Sequence, residues 1–253
     1  MVRRGAFFRY GFGCSDRCVG ISSLPSMNAP FLLPPLVDDL SLAYRLCPAR
    51  GRQSALAVLL HGVGANEGSL AGLVPLLPDH VTTALVRSPF AMGSNAFSAF
   101  AVSFTASGPV IDADQAEASR LRLAAFVGEL QARTGIAPAR TVVAGFSQGG
   151  IMSAGLALTR PQAVAGFGLM SGRILKEIGP HIAPAAALAG VEGLILHGDF
   201  DDRLPAAFAD QSAALLESLG VRFTQKRYPA GHEITRDSAL DFAAWVGRLL
   251  PAA

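Results

Sequence analysis

The pentapeptide Gly145-Phe146-Ser147-Gln148-Gly149 places a serine midway between two glycines. Taken alone, G-x-S-x-G is a weak signal, and a glycine-rich turn with an incidental serine is its plain alternative. The setting says more. Thr141–Phe146 before it is apolar enough for a buried strand, and a helix rich in small residues follows from Gly150. A serine on such a sharp strand-to-helix turn is held out at the top of a sheet, where it can attack a carbonyl carbon. Side chains at 145 and 149 would collide with the adjacent strand and helix. The helix N-terminus favours the negative charge that develops during attack.

A serine hydroxyl needs a base at neutral pH, and the base needs an orienting carboxylate. For a serine in this setting the chain order is serine, acid, histidine. Of His61, His80, His181, His197 and His232, only His232 has strand-end aspartates between itself and Ser147. It lies in the loop Pro229-Ala-Gly-His-Glu233, which can reach across the top of a sheet. The acid must come from His197-Gly-Asp-Phe-Asp-Asp-Arg-Leu-Pro205, and charge alone does not rank Asp199, Asp201 and Asp202. A solvated acidic turn is the plain reading of at least one of them. No H-x-x-x-H or related ligand spacing accompanies this cluster, so no metal is expected.

The tetrahedral intermediate of acyl transfer also needs N–H donors aimed at its oxyanion. Gln148, directly after the serine, supplies one. The other is expected from Leu60-His61-Gly62-Val63-Gly64, which follows an apolar run, with Val63 N–H as donor. Gly62 and Gly64 let this loop approach a substrate closely. His61 is read as holding the loop by hydrogen bonds, not as a proton carrier.

These residues require a sheet whose strand ends converge. Strands are expected at Leu42–Cys47, Ala55–His61, Val81–Arg87, Thr141–Phe146, Val164–Met170, Gly193–His197 and Val221–Tyr228, and helices at 66–77, 113–134, 148–159, 205–219 and 236–250. Ala55–Leu60 is apolar throughout, as expected of a strand covered on both faces. The 113–134 helix starts near Asp112 and Asp114 and stops at Gly135. Such alternation implies βαβ units and a mainly parallel sheet. Residues 88–111 fit neither pattern and read as an excursion above the sheet.

The chain has 253 residues, 51% hydrophobic and 16% charged, with a formal charge of +2. That size buries a large core, and the charge gives no support to nucleic-acid binding. Mean hydropathy is +0.38, yet no uninterrupted apolar run is long enough for a transmembrane segment. The basic excess belongs to residues 1–26, where four arginines face Asp16 alone. Residues 1–26 are therefore read as a disordered N-terminal extension or an upstream over-call of a true start at Met27, and 27–253 as one domain. Cys14, Cys18 and Cys47 make neither a disulfide framework nor a zinc site, and read as thiols of a reducing, cytoplasmic compartment.

Four segments in order, Leu60–Glu67, Gly145–Gly150, His197–Pro205 and Tyr228–His232, resemble the phospholipase/carboxylesterase family of α/β-hydrolases. This family includes acyl-protein thioesterases and small bacterial carboxylesterases, and the similarity spans about residues 40–250. It implies the α/β-hydrolase fold, with a mainly parallel central sheet and helices on both faces. It implies a serine carboxylesterase working through an acyl-enzyme, with Ser147, Asp201 and His232 as the triad, no cofactor and a small-molecule ester as its partner. A homodimer is compatible with it. In the family's H-G-x-x-D-x-x-V-P pattern the acid is the Asp four residues after the His, which lands on Asp201. Leu204 stands where the family often has Val, and Ala99-Phe100-Ala101 where it often has Trp-Phe. Phe100 is therefore a candidate substrate contact in an altered pocket. The nearer alternative is a thioesterase or lysophospholipase for long acyl chains, with Phe90, Met92, Phe97, Phe100 and Phe104 lining a groove or else packed as core. A remote one is an inactive scaffold used as a binding module.

Overall fold

The computed structural model describes residues 32–105 and 108–252, so the expected extension over 1–26 lies outside the described residues. Eleven strands are described: β1 (Tyr44–Cys47), β2 (Ala55–Leu60), β3 (Val81–Val86), β4 (Phe90–Gly93), β5 (Ala96–Ser98), β6 (Val102–Thr105), β7 (Gly108–Ile111), β8 (Thr141–Phe146), β9 (Gly166–Met170), β10 (Glu192–Gly198) and β11 (Arg222–Tyr228). Seven form one sheet in the order β1-β3-β2-β8-β9-β10-β11. All neighbours run parallel except β1, which pairs antiparallel with β3 at one edge.

Strands β2, β3, β8, β9 and β10 are buried at every position. Their alternate residues enter two cores: Val58, Val143 and Ile195 on one face, Ala57, Ala144 and Leu194 on the other. The first face is covered by α1 (Ala113–Thr134), α2 (Gln148–Thr159) and α4 (Ala207–Ser218), with short α3 (Ala185–Leu188) beside them. The second is covered by Glu67–Leu76 and α5 (Arg236–Leu249). Among the described residues no helix is long and apolar enough to cross a membrane. Parallel register brings the chain out of β2, β8, β9, β10 and β11 at one common edge, where Gly62, Ser147, Ser171, Asp201 and His232 follow. Ligand sites of open α/β sheets lie outside such carboxyl ends.

Two stretches depart from expectation. Residues 67–76 form a 3-10 helix, not an α-helix. Its start is well made, with Asn66 and Ser69 in a reciprocal capping box, but Pro75 lacks the N–H that a continuing α-helix needs. The excursion 88–111 contains two hairpins, β4–β5 and β6–β7, each separate from the main sheet. Its described apolar side chains do not act together, and the side chain of Phe104 lies outside the described residues. Phe100 is 1% exposed and belongs to the core, Phe90 and Met92 are exposed, and Phe97 lies under the Arg87 guanidinium at 4.4 Å.

Candidate active site

Ser147 links β8 to α2 with φ 53° and ψ −117°, a left-handed backbone that costs a non-glycine residue about 1–3 kcal/mol. Such strain persists only where the surroundings enforce it. Here Ser147 N–H donates to Met170 O at 2.7 Å, tying the turn to the end of β9. The flanking glycines are steric necessities. A Cβ on Gly145 would stand 2.4 Å from the carbonyl carbon of Gly149, and one on Gly149 would stand 2.0 Å from Leu60 O.

The acidic turn after β10 separates into different roles. Asp201 is buried, and its Oδ2 accepts from His232 Nδ1 at 2.7 Å. Since a carboxylate only accepts, Nδ1 carries the proton and Nε2 is left to accept one. Oδ1 takes the backbone N–H groups of Arg203 at 2.9 Å and Leu204 at 2.8 Å. Burial acts to raise the Asp201 pKa, but hydrogen bonds from His197, His232 and Leu204 N–H outweigh it and hold the group well below the usual carboxylate range. Asp199 instead pairs with Arg227 at 2.9 Å, and Asp202 is exposed. His232 comes close because Gly198 lets its loop approach: a Cβ there would meet Gly231 O at 2.3 Å. The His232 ring rests on Phe146, the residue before Ser147, with centroids 4.8 Å apart. Among the described residues no hydrogen bond joins the Ser147 hydroxyl to His232. Such bonds are often long in unliganded sites and tighten around substrate.

The loop after β2 lies beside this turn. A Cβ on Gly62 would approach Ser147 Cβ to 3.4 Å, and Gly64, at φ 77°, donates its N–H to Phe97 O. Among the described residues no acceptor takes the N–H of Val63 or Gln148, which leaves both available to an oxyanion. His61 is buried, accepts Ser88 N–H at Nε2 and donates from Nδ1 to Gly62 O at 2.7 Å. Burial, partly offset by the Gly62 bond, lowers its pKa, so the ring stays neutral and holds the loop.

Two side chains contribute beyond the expected site residues. The Gln148 side chain accepts Ala99 N–H at 2.7 Å and donates to Phe100 O at 2.8 Å, pinning the excursion to the serine turn. Phe100 meets the site through this carbonyl, while its side chain packs in the core. His197, which precedes the aspartates and so does not fit the order expected of the base, has its Nε2 3.2 Å from Asp201 Oδ2. A histidine at a strand end four residues before the acid was the available signal.

A profile described as phospholipase/carboxylesterase matches residues 45–246. The chain belongs to the phospholipase/carboxylesterase family. Acyl-protein thioesterase 1 of Gibberella zeae is 34% identical over 121 residues, which cover 47% of this chain and 52% of that protein. Acyl-protein thioesterase 1 of Emericella nidulans is 32% identical over 123 residues, covering 47% and 51%. The chain thus spans about half the length of the curated relatives it matches. Among solved structures, a carboxylesterase from Mesorhizobium loti shares 26% identity with a TM-score of 0.74, covering 84% of this chain and 98% of its own. Esterase PE8 shares 25% identity with a TM-score of 0.70, covering 81% and 97%. This family member therefore has the α/β-hydrolase fold.

Proposed function

We propose that this protein is a serine carboxylesterase that cleaves small carboxylic esters through an acyl-enzyme. Ser147 Oγ attacks the ester carbonyl while His232 Nε2 takes its proton. The tetrahedral oxyanion is held by Val63 and Gln148 N–H. His232 then protonates the leaving alcohol, and a water activated by the same Nε2 releases the acid and restores the serine. Asp201 keeps the imidazole in the required tautomer and stabilises the imidazolium. The observation that carries this reading is the strained Ser147 backbone at the N-terminus of α2, beside a histidine whose Nδ1 is committed to a buried carboxylate. Ser147→Ala is expected to lower hydrolysis of p-nitrophenyl butyrate about a million-fold and abolish labelling by a fluorophosphonate probe, with unchanged circular dichroism. Hydrolysis by that variant at the parent rate overturns the reading.

Likeness to acyl-protein thioesterases favours a second reading, action on long acyl chains. A cavity of about 200 Å³ begins one helical turn from Ser147, lined by Ile151, Met152, Leu175 and Ile178. Its walls also carry Asp114, Glu117, Arg120 and Glu177, an unsuitable lining for a long alkyl chain. Short esters are therefore preferred here, and a chain-length series of matched esters and thioesters separates the two readings.

A further inference from the structure

The buried histidine on β10 has no part in the reaction as written, yet the acidic turn is folded around it. His197 is 1% exposed, and its Nε2 lies 2.8 Å from Leu204 O and 3.2 Å from Asp201 Oδ2. Both partners are acceptors, so Nε2 carries the hydrogen, which it donates to Leu204 O while facing Asp201 Oδ2. Nδ1 is buried with no partner among the described residues. A histidine kept merely as a satisfied core group would be paired at both nitrogens. This one places all its hydrogen bonding on the turn that presents the acid.

We infer that His197 is a positioning residue that sets both the orientation and the basicity of the Asp201–His232 pair. Four N–H groups face Asp201: two backbone N–H groups donate to Oδ1, His232 Nδ1 donates to Oδ2, and His197 Nε2 stands 3.2 Å from the same Oδ2. Three of them belong to β10 or its own turn, so the carboxylate is aimed by its own segment of chain. The fourth, His232, stands on a separate loop. His197 also competes with His232 for the same oxygen. The positive end of its N–H dipole, 3.2 Å from Oδ2, offsets charge there and weakens the pull of the carboxylate on the proton of His232. Other charged groups about this pair are already engaged or point outward. Asp199 is paired with Arg227, Tyr228 donates to Asp241, Asp202 and Arg203 are exposed, and Glu233 follows His232.

The inference rests on the triad reading, and its test separates the two. His197→Phe removes the donor at similar volume, while His197→Gln returns an amide N–H near the Nε2 position. In His197→Phe, kcat is expected to fall about ten- to a hundredfold with KM little changed. The acidic limb of the kcat/KM–pH profile is expected to move up by roughly half a unit, because the freed oxygen binds the imidazolium more strongly. His197→Gln is expected to restore most of kcat and return the limb toward its original place. Should the Phe variant not fold, His197→Asn, whose amide cannot reach the Nε2 position, takes its place against Gln. An unmoved limb, or equal losses in the Phe or Asn and Gln variants, overturns the inference. If Asp201→Asn leaves kcat at the parent value, the triad reading itself fails, and that outcome is recognisable independently of His197.

Discussion

Asp201 and Glu67 are both buried carboxylates at the same edge of the sheet, and their partners make them opposites. Glu67 begins the 3-10 helix after the β2 loop and is held by Arg45 and Arg87 at 2.7–3.0 Å. Burial raises its pKa, but the hydrogen bonds from Arg87 and Arg45 prevail and bring it down to about 2. Arg45 also donates to Pro34 O, and Arg87 covers Phe97, so Glu67 knits the β1–β3 edge to the β4–β5 hairpin. Guanidinium groups do not release protons at any working pH. Histidines do. In the proposed mechanism the same burial therefore yields a fixed staple under the oxyanion loop at Glu67, and a proton-handling pair at Asp201.

Substitution of the two carboxylates by their amides measures that difference. Asp201→Asn keeps the shape but cannot accept His232 Nδ1–H at an amide nitrogen, so kcat is expected to fall about 10⁴-fold with Tm changed far less. A loss below tenfold would break the contrast. Glu67→Gln leaves two half-buried guanidiniums short of charge, and is expected to cost on the order of 3 kcal/mol at pH 7, about 6–12 °C in Tm. Its kcat/KM should drop by much less than the ~100-fold that loss of an oxyanion donor costs. The pH dependence sharpens this further. Because the folded-state pKa of Glu67 lies below its ordinary 4.5, its stabilisation is complete above about 4.5 and is lost as pH falls toward about 2. The Tm gap between parent and Glu67→Gln should therefore close over that interval in thermal melts. A gap that stays constant would show that the charge is not what stabilises.

The same two regions show what the order of residues reveals and what it hides. Thr141–Phe146 and the helix bounded by Asp112 and Gly135 were legible because burial on both faces and capping are local patterns. The order of Ser147, the aspartates and His232 was legible because one topology brings them to a common edge. Choosing among Asp199, Asp201 and Asp202 by charge was not feasible, since the decision lies in which one turns inward to meet His197 and His232. The Glu67 staple joins residues from three elements, and the Gln148 bonds reach 48 and 49 residues back along the chain. Periodicity carries no trace of such pairings. The two hairpins of 88–111 escaped for a similar reason: short strands, exposed along β4 and only partly buried along β5 and β7, lack the apolar run that marks the central sheet.

The smallest expected effect belongs to Asp199, two residues from the acid and identical to it in chemistry. Its side chain is 41% exposed and accepts from Arg227 Nε and Nη2 at 2.9 Å. Arg227 has a second carboxylate at hand, Asp210 at 3.1 Å, so removing the charge at 199 does not strand it. Exposed pairs of this kind contribute at most about 1 kcal/mol, less as salt rises. The backbone N–H of Asp199, which donates to Tyr228 O and extends the parallel β10–β11 pairing past Gly198, is untouched by a change of side chain. Asp199→Asn is thus expected to keep kcat/KM within about threefold, with at most ~1 kcal/mol lost in urea melts. A loss approaching that of Asp201→Asn would move the acid two residues upstream and remove the reason for His197 to stand where it does.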